Sequence, residues 1–159
     1  MTVLNLRSVG IGILATITTD VLSGTALKLG FITSLPPRLT GRWFALMARG
    51  QFLHSDIGHV PPINRELAIA VPVHYTTGIK LALVYLLVSS ALDLSPRKPI
   101  AALGFGLCTN LLLWLLMFPS MGFGWFGTHG PPGTRLFFSS FVTHVFYGFG
   151  LWLGVSLPG

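Results

Sequence analysis

The run 66–92, ELAIAVPVHYTTGIKLALVYLLVSSAL, decides the fold class. It exceeds the ~20 mostly apolar residues a helix needs to cross the hydrocarbon core of a bilayer. Its charges are Glu66 at the start and Lys80 inside. Three more runs qualify, 8–32, 99–118 and 136–157, and their breaks are punctuated by helix-stopping residues. Leu35-Pro36-Pro37 closes the first run, and Ser95-Pro96-Arg97-Lys98-Pro99 separates the second from the third. A Gly/Pro-rich run precedes the fourth. The expectation is an all-α membrane protein, a single domain over 1–159 built as a four-transmembrane-helix bundle.

Composition agrees. Of 159 residues, 52% are hydrophobic and 9% charged, against roughly a quarter charged in soluble domains. The net charge of +6 comes from basic residues scattered singly among apolar stretches. That distribution suits anionic lipid headgroups and argues against a nucleic-acid partner. Cys108 is the one cysteine, so no intramolecular disulfide forms. Met1 to Arg7 plus the following apolar run resembles a signal peptide, but the run is too long and reads as the first membrane helix.

The connection 33–65 is too long for a turn. Thr40 is positioned to cap a short helix through Met47 or Arg49. Trp43 and Met47 fall on one side and Arg38, Arg42 and Arg49 on another, the pattern of a helix lying in the headgroup region. An ordered loop packed on the bundle is the alternative. The side bearing the first and third connections holds Arg38, Arg42, Arg49, Arg65 and Arg135. Basic residues favour the cytoplasmic side, which would place both termini outside.

Two stretches share a spacing. His59-x-Pro61-Pro62-x-x-Arg65 leads to His74 and Gly78, and His129-x-Pro131-Pro132-x-x-Arg135 leads to His144 and Gly148. The same offset pairs Met47 with Met117. The reading is a tandem repeat of two helical hairpins related about the membrane normal. It places His74 and His144 at equal depth, facing each other near the bundle axis.

Ionisable groups inside a membrane usually face the interior of a bundle and have a partner. Asp20 lies mid-span beside Gly12, Thr16, Thr19, Ser23 and Ala26, a small and polar stripe at helical spacing. Lys80 falls at a similar depth, on the order of 16 Å at the helical rise, so Asp20 is expected to face the bundle interior and pair with Lys80 or a polar neighbour; snorkelling of Lys80 toward the headgroups is the alternative. Asn110 shares a face with Gly106, Trp114 and Met117 and is expected to hydrogen-bond across helices. The binding candidates are therefore Asp20, His74, Lys80, Asn110 and His144. His54, Asp56, His59 and His129 lie in connections on one membrane side, which makes the histidines candidate metal ligands without a specific ligand spacing. Haem or a metal between His74 and His144 is a further possibility. No phosphate-binding loop, dinucleotide fingerprint or nucleophile elbow is present, which argues against soluble-type hydrolase, kinase or dehydrogenase chemistry.

Several of these residues carry a resemblance. Arg42-Trp43, Arg49-Gly50-Gln51-Phe52, Glu66, His74-Tyr75-x-x-Gly78, Pro119-x-Met121-Gly122-x-Gly124, Arg135 and His144-x-x-x-Gly148-x-Gly150-Leu151 fall in order along nearly the whole chain. Together they resemble the bacterial integral membrane family called domain of unknown function 2938. His129-Gly130-Pro131-Pro132 departs from the Thr-Pro-like run expected there. The resemblance implies a compact multi-spanning protein of the bacterial inner membrane, and no activity or catalytic residue.

Three classes of function follow. The first binds or translocates a small solute, ion or proton at an intramembrane polar site. The second is an accessory or assembly subunit of a larger membrane complex, or a homo-oligomer. The third binds haem or a metal in the membrane, and a visible Soret band would distinguish it.

Overall fold

The computed structural model describes residues 6–131 and 133–158, so Pro132 of the repeat lies outside the described residues. All regular structure among them is helical. The helices are α1 (Leu6–Lys28), α2 (Pro37–Met47), α3 (Glu66–Ala91), α4 (Pro99–Ser120) and α5 (Thr134–Ser156). α1, α3, α4 and α5 are each long and apolar enough to cross a membrane.

Local chemistry explains where the ends differ from the sequence expectation. α1 stops at Lys28, not at residue 32, because Gly30 takes a left-handed φ of +76°. Phe31 N–H then reaches the Ala26 carbonyl at 2.9 Å and Gly30 N–H reaches Leu27 at 3.0 Å, the paired bonds of a glycine-terminated helix. α2 begins at Pro37, earlier than Thr40, because proline suits the first helical position, where no N–H is needed. In α4, Pro119 offers no N–H and its ring crowds the carbonyl of Leu115. The helix takes a π turn over Leu113–Met117 just before it.

α1 and α5 form the central pair, with α3 against α1, α4 against α5 and α2 against α3. Ile11, Ala15, Ala82, Tyr85, Ala102, Tyr147, Leu151 and Val155 form the core between the long helices. A second core at one end joins α2 to the connections through Trp43, Leu46, Ile57, Phe118, Met121 and Phe123. Those connections also bond to each other, His54 N–H to Ser120 O and Ile57 N–H to Met121 O, both at 2.9 Å.

Arg42 corrects the expectation of a basic, water-facing side on α2. Its side chain is 7% exposed and pairs with Glu66, itself 6% exposed. Arg42 Nε donates to Glu66 Oε1 at 2.5 Å, and Nη1 donates to the carbonyls of Ile57 and Val60. Glu66 Oε1 also accepts the Ile63 N–H at 2.8 Å. One guanidinium thus ties α2, α3 and the intervening connection together.

Helix separation is set by small residues, which let backbones approach where lipid supplies no hydrophobic drive. A Cβ on Gly148 would lie 2.7 Å from the Ala102 carbonyl oxygen and 2.8 Å from Leu103 Cα. Those are backbone atoms that cannot yield without moving α4. Gly148→Ala should lower the thermal midpoint in detergent by several degrees. Gly104→Ala should leave it unchanged or raise it, since that Cβ meets nothing within 4 Å. Equal midpoints for the two variants would contradict this packing.

Candidate intramembrane polar site

The α1–α3 seam closes where Gly12 and Thr16 meet Gly78 and Ile79. One turn further toward Lys28, α1 carries Asp20; one turn back toward Glu66, α3 carries His74 and Tyr75. His74 Nε2 donates to Asp20 Oδ1 at 2.8 Å, and the Tyr75 hydroxyl donates to Oδ2 at 3.1 Å. The two rings meet edge to face, their centroids 5.6 Å apart. Both oxygens of one carboxylate are thereby engaged by adjacent residues of the neighbouring helix. At ~1.5 Å rise per residue, Asp20 and His74 lie ~12 Å from the Lys28 and Glu66 ends of their helices.

Of the partners expected for Asp20, the structure supplies polar neighbours in place of Lys80. Lys80 is exposed and forms no ion pair among the described residues, so it is not the partner of Asp20. The early stop of α1 brings Asp20 level with His74, whereas Lys80 lies ~9 Å beyond His74 along α3. The carboxylate also does not face the bundle interior. The side chains of His74 and Asp20 are 51% and 43% exposed, on the open side of the seam.

His74 and His144 do not face each other. His144 Nδ1 donates to the Ser140 carbonyl of its own helix at 2.8 Å, while His74 is turned to Asp20. The helices face different neighbours at these positions: a Cβ on Gly78 would meet Thr16 of α1, and one on Gly148 would meet α4. A link between the two regions runs one turn further on. The Tyr147 hydroxyl donates to the Gly78 carbonyl at 2.6 Å, with His144 a turn before Tyr147 and His74 a turn before Gly78.

Asn110 is fully buried, yet neither Nδ2 nor Oδ1 has a hydrogen-bond partner among the described residues. The expected bond across helices is absent. An orphaned buried polar group costs about 1–3 kcal/mol. Its neighbours on the same stripe are engaged: Gly106 packs on the His144 carbonyl, and Trp114 Nε1 donates to Ser140 Oγ at 2.9 Å. Trp114 also stacks on Phe137 with centroids 4.5 Å apart, so this aromatic group packs rather than lining a pocket.

The histidines of the connections do not converge. His59 Nδ1 pairs with Asp56 Oδ2 at 2.7 Å, His129 lies against Gly124, and His54 Nε2 is buried without a partner among the described residues. No group of three or more His, Cys, Asp or Glu able to hold a metal occurs among the described residues. Tyr75 and Tyr147 are polar residues of this region that the sequence candidates do not include. A tyrosine mid-span signals a hydroxyl that needs a partner, and that signal was present at both.

Four membrane-length apolar helices carrying a carboxylate–imidazole–phenol group define an all-helical protein of membrane-spanning type. Residues 9–157 match the family model described as protein of unknown function DUF2938. The chain belongs to that family. No curated protein and no solved structure matches it.

Proposed function

We propose that the protein exchanges a proton at Asp20, His74 and Tyr75 within the bacterial inner membrane, in the service of binding or moving a small solute or ion. The observation carrying this reading is the 2.8 Å contact between Asp20 and His74, on two helices long and apolar enough to cross a membrane. Ionisable groups within the bilayer are expensive to hold there and by default mark a functional site. An imidazole hydrogen-bonded to a carboxylate sets a group able to give or take a proton beside a second group able to accept one. The tandem-hairpin reading is supported by Gly78 and Gly148, equivalent positions that each lie at a close helix contact. The test is proton flux into proteoliposomes followed by an entrapped pH-sensitive dye. Vesicles holding the protein should acidify faster than empty vesicles under an imposed gradient; equal rates would remove the reading.

The exposure of Asp20 and His74 favours a second reading, an accessory subunit of a larger membrane complex or a homo-oligomer. Facing hydrocarbon, the pair is penalised; covered by a neighbouring protein in the bilayer, it is sheltered. Purification in native lipid particles should then give a mass above that of one chain. A strictly monomeric particle would dismiss this reading and leave the first standing.

A further inference from the structure

We infer that Asn110 binds a small, uncharged molecule that both donates and accepts a hydrogen bond, in the seam between α4 and α5. The inference stands apart from the Asp20 site. Asn110 is 0% exposed and both polar ends of its amide lack a partner among the described residues. It lies one turn from Gly106 and one turn from Trp114. Those neighbours touch α5 at His144 and Ser140, so the stretch of α4 that carries Asn110 lies against the turn from Ser140 to His144.

The polar groups of Ser140 in that turn are already committed. Ser140 Oγ accepts from Trp114 and donates to the Phe137 carbonyl at 2.8 Å. The Ser140 carbonyl accepts from His144 Nδ1 and from Thr143 Oγ1 at 2.9 Å. A carboxamide offers donors at one end and an acceptor at the other, so its complement must do both. Ions fit poorly, because an uncompensated charge in such surroundings is strongly disfavoured. Size is limited as well: a Cβ on Gly106 would lie 2.8 Å from Gly148 Cα, so the helices are nearly in contact one turn away. Water or a hydroxylic solute of similar size meets both limits. The π turn at Leu113–Met117 begins just beyond Asn110, and such turns recur at functional sites because they displace the regular ladder.

The test is solid-state NMR on protein in lipid vesicles, measuring magnetisation transfer from water to asparagine side-chain amides. The Thr109–Asn110 pair occurs once in the sequence, so pairwise labelling assigns Asn110 without any substitution. Transfer to its amide is expected within a few-fold of that to the exposed Asn64, which would identify the occupant as water. A dry amide whose shift changes on exhaustive dialysis would identify a bound solute instead and equally support the site. A dry amide that dialysis leaves unchanged overturns the inference.

Discussion

Arg42→Met should destabilise the protein by about 3–5 kcal/mol, because it leaves Glu66 buried and unpaired. The size of the effect follows from geometry. The Glu66 carboxylate is 6% exposed and receives two guanidinium nitrogens and one backbone N–H. Removing the cation also frees the Ile57 and Val60 carbonyls and loosens α2 from α3. The combined Arg42→Met, Glu66→Met change should recover much of the loss, since two apolar side chains of similar volume remove both charges together. Denaturant midpoints in one detergent measure both. A single variant as stable as the wild type would show that the pair does not anchor the second core.

Asp20→Asn should reduce protein-dependent proton flux at least tenfold while leaving the protein folded. The carboxamide keeps the volume and can still accept from His74 and Tyr75, but it does not take up a proton in the range where a carboxylate does. His74→Gln should act similarly, because it removes the group adjoining the carboxylate. Tyr75→Phe should have a smaller effect, since it deletes one 3.1 Å bond and leaves the Asp20–His74 contact intact. Lys80→Ala should leave flux unchanged, as Lys80 is exposed and stands apart from Asp20. A flux that depends on Lys80 and not on His74 would restore the pairing expected from depth alone.

The spans were legible because the hydrophobic requirement of a bilayer is coarse and long: four apolar runs, broken at Pro36-Pro37, Pro99 and the run before Leu136, leave little choice. Membership of the family was legible too, from motif order along the chain. Which polar side chains meet was legible only in part, for two physical reasons. Depth along a helix depends on where it stops, and Gly30 ends α1 early enough to move Asp20 from Lys80 to His74. Facing direction depends on which helices are neighbours, and sequence does not reveal that α1 and α5 take the centre. With α1 against α3 and α5 against α4, the equivalent residues His74 and His144 are turned to different partners. Arg42 shows a third limit. Charge on a short helix reads as a water-facing side until an acid such as Glu66 is known to lie opposite.

The central claim is that Asp20 and His74 share and release a proton inside the bilayer. It is tested most directly by pH-difference infrared spectroscopy on the protein in lipid vesicles, recorded between acid and neutral pH. The account predicts a carboxylic-acid carbonyl band that appears on acidification, vanishes in Asp20→Asn and shifts in frequency in His74→Gln. A spectrum whose carboxyl bands are the same in wild type and Asp20→Asn would contradict it.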